Sequence, residues 1–128
     1  MSKKLFALRG AAQALNTAED IEKWTVFLYD GLLKLNKLEE SDIVSVVFSM
    51  TNDLDEENPA SALRHAGRAL SASLFAAQEA FVRGGLPHTI RALIHCYLDE
   101  GVAVRHLYCN GAESLRPDRA RSGNTDAL

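Results

Sequence analysis

Arg9, Arg64, Arg91 and Arg116 stand at strand or helix positions, in company with Glu79 and Tyr108. Arginine does not deprotonate, and its planar fork matches a carboxylate two N–H bonds at a time. The chain as a whole is acidic, with 14 Lys and Arg against 17 Asp and Glu and a net charge of −3. Arginines set into the apolar segments of such a chain point to a small polyanionic ligand, a carboxylated metabolite. The spacings by themselves carry the reading no further.

Other chemistries find less support. His65, His88, His95 and His106 have no zinc-like spacing to a Cys or an acid. His95 and His106 can meet if their strands are neighbours, but satisfied structural histidines are the expected reading. No nucleophile elbow and no Ser/His/Asp order can be drawn. Gly84-Gly85 is not followed by Gly-Lys-Ser/Thr, so it is a turn and not a phosphate loop. Asp53 and Asp55 resemble the start of a calcium loop, but no Gly follows and Arg64 stands where the closing Glu belongs. They are expected to be solvated loop acids. Cys96 and Cys109 lie within strands and behave as small hydrophobes. Two cysteines without metal spacing fit a reduced, cytoplasmic protein. The mild negative charge argues against a nucleic-acid partner. The apolar runs are too short to span a membrane, and the N-terminus lacks the pattern of a secretory signal.

Those side chains need a scaffold, and 128 residues with 47% hydrophobic and 24% charged composition are enough for one small core. Residues 4–12 read as a first strand, with Leu5, Ala7 and Arg9 on one face and Phe6, Leu8 and Gly10 on the other. Arg9 there is either a strand-end arginine reaching solvent or an anion ligand. Thr17 can cap a helix, with Asp20 at the capping-box position. Ile21, Trp24, Leu28, Leu32 and Leu35 then form a core stripe through Asn36. Residues 42–50 are a β-branched and aromatic run, expected to be buried on both faces. After a polar loop, Asn58 caps and Pro59 opens a second helix. Its alanine-rich span of residues 60–70 carries Arg64 and Arg68 on one exposed face.

Residues 73–77 read as a short strand, and 84–87 as a turn. Along residues 90–98, Ile90, Ala92, Ile94, Cys96 and Leu98 share one face, and Arg91, Leu93, His95 and Tyr97 the other. An arginine amid such a strand is costly unless it finds an acceptor. Residues 104–109 make a last strand, and Leu115-Arg116-Pro117-Asp118 closes the fold. Five strands and two helices predict an α+β domain over residues 1–118, a mixed sheet with helices on one face, and a polar C-terminal tail at 119–128. No third long helix remains to cover the second sheet face, so self-association is expected.

The order of motifs is similar to that of the trimeric, monofunctional chorismate mutases of the AroH (Bacillus) type. Leu8-Arg9-Gly10-Ala11 resembles the family's opening. Phe48-Ser49-Met50-Thr51, Asp53-Leu54, Pro59-Ala60 and Arg64 resemble the next block. Gln78-Glu79, Gly84-Gly85-Leu86 and Ile90-Arg91 follow in order and spacing. Val104-Arg105-His106-Leu107-Tyr108 and Leu115-Arg116-Pro117-Asp118 match the C-terminal signature. The resemblance spans residues 6–118.

It implies a five-stranded mixed β-sheet with one long helix and shorter helical turns. Three subunits would form a pseudo-α/β-barrel with an active site at each interface. The implied reaction is the Claisen rearrangement of chorismate to prephenate, on the route to phenylalanine and tyrosine. It needs no cofactor, metal or nucleophile. By the same resemblance, Arg91 would hydrogen-bond the ether oxygen and a carboxylate, Arg9 and Tyr108 the enolpyruvyl carboxylate, and Glu79 the ring hydroxyl. Arg64 and Arg116 would supply positive field at the mouth, and Leu115 and Ala60 apolar walls. Three positions depart from the pattern: Ala76 replaces the usual cysteine, Asn58 the usual aromatic and Ser61 the usual lysine. These departures leave open slower turnover, a related chorismate derivative as substrate, or a carboxylate-binding module without activity. A Rid-type trimeric deaminase is a further alternative, but its motifs are not apparent.

Overall fold

The computed structural model describes residues 2–116, so Pro117, Asp118 and the expected tail at 119–128 lie outside the described residues. The strands are β1 (Lys3–Gln13), β2 (Ile43–Met50), β3 (Ser73–Gln78), β4 (Thr89–Asp99) and β5 (Leu107–Cys109). The helices are α1 (Ala18–Asn36) and α2 (Pro59–His65). The five strands form one sheet in the order β3-β2-β4-β1-β5. β4 runs antiparallel to both neighbours, β1 and β2, while β1–β5 and β2–β3 are parallel. The expected α+β architecture with a mixed five-stranded sheet is the one observed.

Helix α1 forms where the caps and stripe require it. The Thr17 hydroxyl accepts the Asp20 N–H at 3.0 Å. The Asp20 carboxylate reaches past the cap and accepts the Leu15 N–H at 2.6 Å, fixing the chain entering the helix. The buried face comprises Ile21, Thr25, Leu28, Tyr29 and Leu32. Trp24 is only half-buried at its edge, in an edge-on contact with Phe27 at 5.2 Å. The helix thus turns Thr25 and Tyr29 inward where the sequence pattern favoured Trp24.

Helix α2 is shorter than expected. It ends at His65 in a paired-hydrogen-bond stop, with Arg68 N–H donating to the Leu63 carbonyl and Gly67 N–H to that of Arg64. Gly67 supplies the left-handed residue (φ +81) this motif needs. Arg68 therefore leaves the helix and does not join Arg64 on a basic face. Its guanidinium forks onto Asp30 of α1, at 2.7 and 3.2 Å.

Both helices pack on one side of the sheet, α1 over β1, β4 and β5, and α2 over β2 and β3. Leu8, Ala12, Val46, Phe48, Ile90, Ile94, Cys96 and Leu107 are buried in the resulting core. Each such large side chain contributes roughly 1.5–3 kcal/mol by leaving water. The opposite face is open in the single chain. Leu5, Phe75 and Tyr97 are 51%, 63% and 44% exposed. This corrects the reading of β2 as buried on both faces: Val46 and Phe48 are buried, whereas Ser45, Val47 and Ser49 are only half-buried.

The last strand also starts later than expected, at Leu107. The Asn36 side chain at the end of α1 takes both backbone groups of Arg105, at 2.8 and 2.9 Å, in place of a strand partner. His95 and His106 do not meet, because β1 lies between β4 and β5. His95 contacts the Ser45 hydroxyl at 3.1 Å, and His106 Nδ1 accepts the Arg9 N–H at 3.0 Å. Asp53 and Asp55 are more than solvated loop acids. Asp53 accepts from Thr51 and His88, and Asp55 from the Asn16 amide at 2.8 Å.

Gly10 sets how closely α1 approaches the sheet. A Cβ there would stand 3.0 Å from the Leu107 carbonyl oxygen and 3.2 Å from a Leu32 methyl. Gly10→Ala should gain about 0.5–1 kcal/mol from lost chain freedom and lose roughly 1–3 kcal/mol to overpacking. Because the nearest obstacle is backbone, overpacking wins, and a lower urea midpoint is expected. Burial pushes the Cys96 and Cys109 thiols up, to about 11 and about 12. Neither should react with a thiol reagent at neutral pH in the native protein, and both should react once it is unfolded in urea.

Candidate active site

Alternation along β4 puts Arg91 on the open face, opposite Ser49 of β2 and Ala11 of β1. Ala11 in turn pairs with Tyr108 of β5. Arg91 and Tyr108 are therefore two strand spacings apart, about 10 Å, with a small residue between them. Arg9 stands two residues before Ala11 on the same face, beside Leu93 in register. These side chains line a cleft of about 210 Å³ with Gly10, Val47, Ser49 and Ala92.

Glu79 lies just past β3, and its N–H donates to the Met50 carbonyl at 2.7 Å. That bond fixes it at the end of β2, where its carboxylate meets Arg91. Arg91 Nε donates to Oε1 at 2.7 Å and Nη2 to Oε2 at 3.4 Å. This supplies the acceptor that an arginine in an apolar strand requires. A guanidinium has five N–H donors. Two go to Glu79, which leaves three for a further acceptor on a side chain that lines the cleft. The pair is partly exposed, with Arg91 at 39% and Glu79 at 23%, so its worth is in geometry more than in stability.

Tyr108 is buried against Ala11 and Ala112, and Leu86 and Leu115 pack on that cluster. Leu115 ends a short 3-10 turn, Glu113–Leu115, which brings half-buried Arg116 to the same end of the sheet. Arg9, Arg91, Glu79, Tyr108 and Leu115 are thus assembled within one chain.

The remaining candidates are not. Ala76 faces the helix side of the sheet, since its partner Phe48 points into the core. It lines a separate depression with Asn58. Asn58 caps α2 by accepting the Ala60 N–H at 2.9 Å, and Ser61 follows in the same turn. Ala60 is buried, and Arg64 is exposed further along α2. Within a single subunit these five lie on the other side of the sheet from Arg91.

Val47, Ser49 and Leu93 in the cleft were not singled out from sequence. The alternation of Val46 and Phe48 against Val47 and Ser49 carried the signal, hidden by reading β2 as buried on both faces. Among the described residues, no three His, Cys, Asp or Glu side chains group as metal ligands would. No helix there is long and apolar enough to cross a membrane.

Comparison with known proteins identifies the family. A family model described as chorismate mutase type I matches residues 5–119. The chain is 31% identical over 121 residues to the chorismate mutase AroH of Bacillus subtilis (strain 168), covering 93% of this chain and 95% of that one. It is 34% identical over 117 residues to the chorismate mutase AroH of Thermus thermophilus, covering 87% and 95%. A solved structure of a chorismate mutase from Clostridium thermocellum superposes with a TM-score of 0.78 at 36% identity, over 85% of this chain and 98% of that one. With its open-faced mixed sheet and its arginine cleft, the chain belongs to the type I chorismate mutase family.

Proposed function

We propose that the cleft on the open sheet face binds chorismate and converts it to prephenate by conformational restraint and electrostatic stabilisation. The observation that carries this mechanism is the Arg91 guanidinium, which lines the cleft and is forked on Glu79 through two of its five donors. The rearrangement is intramolecular. The ether C–O bond breaks as a C–C bond forms, and the product is an isomer of the substrate. Negative charge grows on the ether oxygen, where a fixed donor in a partly dehydrated cleft acts most strongly. Arg91 fills that role and also takes a substrate carboxylate. Arg9 and Tyr108 hold the enolpyruvyl carboxylate, so that the chair-like conformer is selected before bond breaking. Glu79 accepts from the ring hydroxyl and lies near the positive charge that develops on the ring.

Asn58, Ala60, Ser61, Arg64 and Ala76 reach such a substrate only from a neighbouring copy. We therefore infer a homotrimer with sites at subunit interfaces, a pseudo-α/β-barrel whose inner wall is the open sheet face. Exposed Leu5, Phe75 and Tyr97 support this, as apolar area awaiting cover. Leu115 and Ala60 then wall the site, with Arg64 and Arg116 at its mouth. A single domain reaching residue 118 and a cytoplasmic place in aromatic amino-acid biosynthesis complete the reading.

Chorismate consumption, followed by ultraviolet absorbance with the product identified by NMR, tests it. Arg91→Ala should raise the barrier by about 3 kcal/mol or more, as removal of an oxyanion donor does. Arg91→Lys should also be poor, since a point charge cannot both hold Glu79 and reach the ether oxygen. A near-parental rate in Arg91→Ala rejects the mechanism. Sedimentation of the parent should give three times the chain mass, and a monomer with full activity rejects the interface site.

A further inference from the structure

The start of β4 is held by a side chain that does not line the arginine cleft. Arg91 is two residues beyond Thr89, which is completely buried. Thr89 N–H donates to the Thr51 hydroxyl at 2.9 Å, and Thr51 N–H to the Thr89 carbonyl at 3.1 Å. The preceding residue, His88, is a non-glycine residue in the left-handed region, at φ +49. Its N–H lies 3.1 Å from each oxygen of the Asp53 carboxylate. The Thr51 hydroxyl donates to Oδ1 of the same carboxylate, and His88 Nε2 stands 3.8 Å from Oδ2. On the far side of the turn, Gln13 donates to the Pro87 carbonyl and Ala14 N–H to the His88 carbonyl, both at 2.9 Å. Asp53 thus closes a clamp between the end of β2 and the turn into β4.

Both members of the Arg91–Glu79 pair hang from that clamp. Arg91 is on β4, and Glu79 is tied to the Met50 carbonyl, one residue before Thr51. Thr51, Asp53 and Glu79 also line one small cavity of about 100 Å³, with Leu86 and Pro87 of the same turn. We propose that Asp53 is a positioning residue that holds His88 left-handed and so fixes the Arg91–Glu79 fork in its productive geometry. Burial tends to push the Asp53 carboxyl up, but the Thr51 hydroxyl, the His88 N–H and the nearby His88 ring together hold it below its ordinary value. At neutral pH it is therefore an acceptor-only anion, as the Thr51 hydroxyl and the His88 N–H converging on it require.

The inference rests on the chorismate mutase mechanism above, and its test separates the two. Asp53→Asn keeps the size but turns one acceptor into a donor that faces the His88 N–H. Misplacing a catalytic group by a fraction of an ångström should lower kcat about tenfold, with KM within about threefold, because the lost interaction acts in the transition state. The Arg91 Nε–H signal in the ¹⁵N–¹H spectrum, identified by its loss in Arg91→Ala, should exchange about tenfold faster with solvent. A folded Asp53→Asn protein with kcat within about twofold of the parent overturns the proposal, even if its melting temperature falls. So does unchanged exchange at Arg91 Nε–H, or a loss carried by KM alone. If Asp53→Asn does not fold, Thr51→Val removes the hydroxyl that links Asp53 to Thr89 and is judged by the same measures. If the parent itself does not turn over chorismate, the mechanism fails, and the exchange measurement still decides whether Asp53 holds the fork.

Discussion

One long helix and one short one cannot cover both faces of a five-stranded sheet. The chain spends α1 and α2 on the same face, and the arrangement of the other face follows from that. Strand alternation sends Leu8, Phe48, Ile90 and Ile94 inward, and with equal necessity sends Arg9, Arg91, Leu93 and Tyr97 to the open side. A guanidinium is tolerable there for two reasons. The face is not sealed within the subunit, and Glu79 at the end of β3 supplies a forked acceptor. Apolar residues beside it call for cover that leaves a polar cleft free. The proposed interface between copies would meet both demands, whereas a third helix within the chain would bury the arginines outright.

Carboxylates do a second kind of work in this fold. Glu40 accepts the Tyr29 hydroxyl and the N–H of Ala69, a non-glycine residue at φ +54. The Tyr29 hydroxyl and the Ala69 N–H hold its carboxyl below the usual range. Asp53 treats His88 in the same way. In both cases a left-handed residue that would cost about 1–3 kcal/mol if unsupported is held by an anion on its N–H. One brace secures the turn that follows α2, and the other the turn before Arg91.

Much of this was legible in the sequence, and the gaps have physical causes. Helix α1 was readable from Thr17 to Asn36 because cap and stripe agree. Helix α2 was readable at Asn58-Pro59 but not at its end, where alanine propensity runs past Gly67 and only the left-handed stop reveals the boundary. The late start of β5 was hidden because a side chain, Asn36, replaces a strand partner. Arg91 was legible as a cost in need of an acceptor. That Glu79 meets it depends on β3 and β4 both flanking β2, which no local pattern encodes. The roles of Asn58, Ser61 and Ala76 came from family likeness alone, and their position behind the sheet shows why. Under the proposed trimer they would reach the substrate only across an interface, and such residues leave no periodic signal in their own chain.

The strand order also bears on how the molecule comes into being. β1 is synthesised first, yet both its neighbours, β4 and β5, come from the second half of the chain. The Arg9 N–H and the His106 ring nitrogen that accepts it come from residues 97 apart. Until β4 leaves the ribosome, β1 has no strand to pair with, and loop-closure entropy must be met before its contacts reward it. The first arginine of the cleft is therefore made at the outset, yet its strand cannot be paired on both sides until Leu107–Cys109 is available.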